Sequence, residues 1–175
     1  MSNQPDEIII HNTDKDEPTD VQHPIVIVLD KLRSAFNVGN IFRLADSCAA
    51  ERIVTCGYTA TPPHPKLTKT ALGAEEFIDS THYDSSLEAI RALKSEGYQV
   101  VGIETVEGAP SIWNVKFDFP VAFVFGNEAL GVEKETLEEC DLIARLPAFG
   151  QKNSLNVANC ASVVIYQAIQ QLENS

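Results

Sequence analysis

Short apolar runs rich in β-branched residues recur along this chain, and segments of helical period separate them. The run "PIVIVLD" (24–30) is almost continuous in Ile, Val and Leu, the pattern of a strand covered on both faces. "RIVTCGY" (52–58), "YQVVGIE" (98–104), "PVAFVFG" (120–126) and "DLIARLP" (141–147) repeat that pattern, and "EEFIDS" (75–80) is a weaker short strand. Between them, "NVGNIFRLADSCAA" (37–50) spaces Ile41, Leu44, Ala45 and Cys48 as one helical face, with Asn37 or Asn40 as N-cap. "SSLEAIRALKSEG" (85–97) is an amphipathic helix capped by Ser85 or Ser86 and stopped at Gly97, and "EKETLEEC" (133–140) is a short acidic one. A last helix presents Val157, Ala161, Val164, Ala168 and Leu172 on one stripe. "TATPPHPK" (59–66), with three prolines, reads as loop. Strands alternating with helices predict an α/β fold with a mainly parallel sheet flanked by helices.

At 175 residues this is the length of one domain with a sizeable core. Six acids against one lysine in the first 24 residues mark 1–23 as a flexible acidic tail and leave 24–175 as the domain. No run is long enough to span a membrane, and the N-terminus has no secretory pattern, so a cytoplasmic location is expected, with no membrane partner. Cys48, Cys56, Cys140 and Cys160 lack metal-ligand spacing and read as free thiols, and no metal site is expected. The net charge of −12 argues against unspecific nucleic-acid binding, and no DNA partner is expected. Lys31, Arg33, Lys66, Lys69 and Lys152 nevertheless fall in predicted loops, where a polyanion could be received locally. Trp113 reads as packing at a domain or subunit surface rather than as a base-stacking residue.

In parallel α/β sheets, ligands bind outside the carboxyl ends of the strands. Three such ends carry glycine-bearing loops: 30–43, 125–131 and 146–156. None has the glycine fingerprint of a dinucleotide fold or a P-loop, which leaves a dehydrogenase-like enzyme without support. Taken singly, the polar residues in these loops have structural readings. Arg43 could pair with Asp46. Glu128 could be a first-turn helix acid. Ser154 and Asn156 could be N-caps.

Together the three loops resemble the three motifs of the SpoU family of SPOUT-type RNA methyltransferases. The first, N-x-G-x-x-x-R, falls on Asn37, Gly39 and Arg43; the second, G-N-E-x-x-G, on Gly126, Asn127, Glu128 and Gly131. The third, P-x-x-G-x-x-x-S-L-N-V, falls on Pro147, Gly150, Ser154, Leu155, Asn156 and Val157. Two packing positions depart from the usual family pattern: Ala148 stands where a Met usually follows the proline, and Ala158 where a serine usually follows the valine.

The resemblance implies a C-terminal deep trefoil knot, a homodimer, and S-adenosylmethionine as methyl donor with S-adenosylhomocysteine as product. It implies cofactor contacts at Ile103, Glu104, Gly126, Leu146 and Leu155, and a ribose 2′-hydroxyl of tRNA or rRNA as acceptor. Arg43 matches the family's catalytic arginine. A guanidinium keeps its proton at neutral pH, so Arg43 is expected to orient phosphate and ribose and to stabilise the developing alkoxide rather than act as a base. Asn37 would orient Arg43 or the RNA, while Glu128, Ser154 and Asn156 would shape the pocket. Other SPOUT branches methylate bases, and a noncatalytic RNA-binding module is a further alternative. The acidic tail is expected to compete with RNA for the basic loops.

Overall fold

The computed structural model describes residues 21–175, so the acidic segment lies outside the described residues as far as residue 20. Six strands form one sheet in the order β3-β2-β1-β5-β4-β6: β1 His23–Asp30, β2 Ala50–Cys56, β3 Ser80–Tyr83, β4 Gln99–Ile103, β5 Val121–Phe125 and β6 Leu142–Ala144. Every neighbouring pair is parallel. The central strands are buried along their length, which explains their unbroken apolar runs: side chains alternate between two covered faces, and both must be apolar.

Alternation along β1 sorts the core into two halves. Ile25, Ile27 and Leu29 point to the face covered by α1 (Ala35–Ser47), α2 (Pro65–Ala71) and α5 (Val157–Glu173), and pack there with Val101, Phe123, Ile41, Val164 and Ile165. Val26 and Val28 point the other way, against α3 (Ser86–Ser95) and the short α4 (Lys134–Glu139), with Val54, Ala122, Ile90 and Leu93. Among the described residues no helix is long and apolar enough to cross a membrane. All four cysteines are free, and burial raises their thiol pKa values to about 11 for Cys48 and Cys160 and about 12 for Cys56 and Cys140.

Several local expectations are corrected. The cap of α1 is Ser34, whose hydroxyl accepts from the Asn37 N–H; neither Asn37 nor Asn40 caps, because the helix starts before both. The proline-rich stretch ends in a helix. Pro65 occupies the first turn of α2, where its missing N–H costs nothing, and the His64 ring accepts from the Lys66 N–H. Lys66 and Lys69 therefore stand on a helix and not in a loop. "EEFIDS" begins as the end of a 3-10 turn (Ala74–Glu76), continues as irregular chain with Ile78 leaning on the core, and enters β3 only at its last residue as a polar edge strand. Ser85 precedes α3 but makes no capping bond.

The unforeseen α2 explains one motif glycine. At Gly39 of α1, an added Cβ would lie 2.3 Å from the Leu67 carbonyl oxygen and 2.1 Å from Thr70 Oγ1. The first is backbone and cannot swing aside, so α1 and α2 can be this close only without a side chain here. Gly39→Ala should therefore lower stability by about 1–3 kcal/mol in urea denaturation. An unchanged midpoint would show that the two helices part without cost.

Candidate active site

The carboxyl ends of β4 and β5, the loop after β6 and the start of α5 enclose a cleft of about 390 Å³. That volume is in the range of small-molecule sites. Ile103, Gly126, Leu146 and Leu155 line it, as do Glu104, Glu128, Ser154 and Asn156. Two carboxylates and no lysine or arginine stand among the lining residues. Such a cleft suits a cationic or neutral ligand and is poorly matched to a phosphate-bearing nucleotide.

Three segments distant in sequence are tied at its edge. The Glu128 carboxylate accepts from the backbone N–H groups of Arg33 (2.9 Å) and Ser34 (3.1 Å) and from Asn37 Nδ2 (2.9 Å). Glu128 is thus no first-turn acid of its own helix, since α4 begins only at Lys134; its charge lies against the start of α1. Partial burial disfavours the Glu128 carboxylate, but the Arg33 N–H, the Asn37 amide and the Ser34 N–H outweigh it and hold its pKa below the usual value. Asn37 Oδ1 in turn accepts from Asn156 Nδ2 at 3.1 Å. Asn156, not Ser154, is the N-cap of α5, with its Oδ1 accepting from the N–H groups of Ala158 and Asn159.

The second loop is built on Asn127, which is buried and fully engaged. Its Nδ2 donates to the Lys31 carbonyl (2.7 Å) and to the Tyr58 hydroxyl (2.8 Å), while its Oδ1 accepts from the N–H groups of Ala129 and Leu130. Two glycines close this loop. A Cβ on Gly126 would lie 2.3 Å from Val132 N, and Gly131 has φ +72 with Glu104 Oε2 2.3 Å from where its Cβ would be. The Glu104 carboxylate accepts from the N–H groups of Thr105 (2.7 Å) and Val132 (2.9 Å), joining the end of β4 to the second loop. Sequence reasoning placed Glu104 at the ligand; the structure also gives it this bridging work. Sequence reasoning placed Asn127 in the second motif without a role of its own, although an asparagine between two glycines was an available signal.

Arg43 stands apart. It is exposed on α1, outside the cleft lining, on the same outward stripe as Phe36 and Asn40, and makes no ion pair with Asp46 or any other described residue. Ser154 lines the cleft with its hydroxyl engaged by no described residue. No cluster of His, Cys, Asp and Glu among the described residues could hold a metal ion.

Comparison with known proteins agrees on a family. The SpoU rRNA Methylase family model matches residues 24–166. A 23S rRNA (guanosine-2′-O-)-methyltransferase, RlmB, of a Burkholderia species is 30% identical over 148 residues, covering 85% of this chain and 60% of that protein. The chain thus spans about 60% of the length of such curated relatives. The crystal structure of an AdoMet-bound rRNA methyltransferase from Sinorhizobium meliloti superposes with a TM-score of 0.79 at 28% identity, over 86% of this chain and 59% of that one. A structure solved for the 2-OH methylation of C/U34 on tRNA gives 0.78 at 25% identity, over 86% of this chain and 97% of that one.

Two outcomes test the tie between the loops. Asn127→Asp removes both side-chain donors and should cost about 1–3 kcal/mol in chemical denaturation; a cost near zero would show the amide replaceable. The link from Glu128 needs its charge, and its folded pKa is lowered from 4.5. Its contribution is therefore complete above that value and is lost as pH falls through the lowered one. The stability gap between the native chain and Glu128→Gln should be constant at neutral pH and narrow on acidification below about 4.5, the usual carboxylate value. A gap indifferent to pH would contradict the assignment.

Proposed function

The chain belongs to the SpoU rRNA methylase family, and from that premise we propose that it transfers the methyl group of S-adenosylmethionine to a ribose 2′-hydroxyl of tRNA or rRNA, leaving S-adenosylhomocysteine. The observation that carries this reading is the junction of all three motifs at one cleft through Asn37, Glu128 and Asn156. The lining fits the cofactor. Ile103, Leu146 and Leu155 offer apolar walls to a flat base, Gly126 leaves the backbone bare, and the carboxylates suit a sulfonium cation. When bound, the cofactor supplies an electrophilic methyl group on sulfur and a neutral thioether as leaving group.

The chain's own residues would then provide position and charge. Glu128 is held in its ionised form and committed to three donors, so it is a poor acceptor for the 2′-hydroxyl proton and serves instead to fix the motifs. Ser154 is available to the ligand. Arg43 orients the target phosphate and ribose and stabilises the oxygen as negative charge develops there.

Because Arg43 lies outside the cleft of one chain, we place it at the boundary of a homodimer. Phe36 on α1 and Val163 and Tyr166 on α5 are all more than one-third exposed, an apolar surface a second copy can cover. A deep C-terminal knot belongs to the same reading. β6 lies at the sheet edge beyond β4, yet α5 starts beside Asn37 of α1; residues 145–156 must therefore pass the carboxyl ends of β4 and β5 on their way. The methyltransferase domain is taken as 24–175, acting in the cytoplasm.

Calorimetry should show S-adenosylmethionine binding, and labelled methyl groups should appear on ribose in tRNA or rRNA. Arg43→Ala should keep cofactor affinity and lose about 10²–10³-fold in transfer rate. Near-normal turnover would remove Arg43 from the mechanism, and absent cofactor binding would remove the enzyme.

A further inference from the structure

We propose that Trp113 and Phe149 form a stacking platform for an unpaired base of single-stranded RNA beside the methyl-transfer cleft, a reading that rests on the RNA substrate proposed above and replaces the expectation, from sequence alone, of Trp113 as a packing residue. The two rings are parallel within 3°, with centroids 6.3 Å apart. Trp113 is 49% exposed and Phe149 88% exposed, so the contact contributes little burial and leaves aromatic faces open to solvent.

The Trp113 side of the platform is held from below. Trp113 lies on the 3-10 turn Ile112–Asn114, whose first residue is fully buried. This segment is laced to the extension of β6: Ile112 N–H donates to the Arg145 carbonyl (3.0 Å), Arg145 N–H to the Pro110 carbonyl (2.9 Å), and Arg145 Nε to the Ala109 carbonyl (3.0 Å). Phe149 belongs to the loop that supplies Leu146, Asn153 and Leu155 to the cleft, so the pair adjoins the proposed site of chemistry. A rigid aromatic surface loses little conformational freedom when a base settles on it.

Charge singles out the same place. The chain carries −12, yet Lys116, Arg145 and Lys152 stand three or four residues from one ring or the other. All three are exposed, and none forms an ion pair among the described residues. The neighbouring acid Asp118 is engaged with Gln99 on both sides of its residue, through side chain and N–H. Open aromatic faces with cations along the same segments, none of them in an ion pair, are the combination that binds single strands without reading their sequence.

Trp113 is the only tryptophan, so its fluorescence reports on this site alone. Adding short oligoadenylate to the full chain with S-adenosylmethionine present should quench that emission saturably. An abasic ribose-phosphate strand of equal length should not quench it. Phe149→Leu, and separately Trp113→Ala followed with end-labelled RNA, should each weaken RNA binding about tenfold. Cofactor affinity, measured by calorimetry on the same variants, should stay within about twofold and so vouch for the fold.

RNA that binds the native chain without quenching, or binds both variants as tightly, would overturn the platform and leave the RNA substrate standing. No RNA binding at all would overturn both. An emission change that follows protein concentration in the absence of RNA would make the pair a contact between copies, and would likewise overturn it.

Discussion

One carboxylate at the start of one helix holds the site together. Glu128 comes from the loop after β5, and its partners from the loop after β1 and the first turn of α1. Backbone N–H groups at the entrance to a helix have no intrahelical acceptors, and an anion placed there gains both hydrogen bonds and the favourable end of the helix dipole. Asn37 extends the contact by donating to Glu128 and accepting from Asn156. Asn156 closes the chain of bonds by capping α5. Two helix starts and the end of one strand are thereby fixed relative to one another. A cleft made of three loops needs such a lock, because loops alone hold position poorly.

The sheet decides where that lock can form. With all strands parallel, every carboxyl end faces one side, and the order β1-β5-β4-β6 places four of those ends in a row. The chain visits them out of sequence, so contacts between residues 37, 128 and 156 join segments about a hundred residues apart. Long-range closures of this kind carry the entropy of large loops, and they hold here because both faces of the sheet are buried under helices.

Much of this was legible beforehand, and the exceptions have physical causes. β1, β4 and β5 were plain because burial on both faces confines polar residues to the strand ends, as with His23, Asp30 and Gln99. α2 was hidden because prolines normally end regular structure, whereas here Pro65 occupies the one helical turn that tolerates it. "EEFIDS" misled because Phe77 and Ile78 suggest a strand, while the backbone there bends away from a 3-10 turn that ends at Glu76 and leaves the edge pairing to the residues that follow. The reading of Asn37 as a cap failed for a related reason. Cap chemistry suits both Ser34 and Asn37, and only the tertiary partners Glu128 and Asn156 assign the asparagine elsewhere. At the site, the resemblance named residues that line the cleft, whereas the outward position of Arg43 follows from the helical face of Ile41, Leu44, Ala45 and Cys48, all of them buried.

The polar residues of the motifs divide into two kinds, and the division bears on function. Asn37, Asn127, Glu128 and Asn156 have their hydrogen-bonding groups engaged within the chain. Arg43 and Ser154 have side chains that no described residue engages. A group already satisfied by its own fold gives up little to a ligand, but it keeps its neighbours from moving when one arrives. In the reading proposed above, Arg43 and Ser154 are the groups left for the ligand, and binding would order their free side chains against a frame that does not itself have to move. The same motif therefore contains both the frame and the groups it holds ready, and a substitution acts on stability or on chemistry according to which of the two it touches.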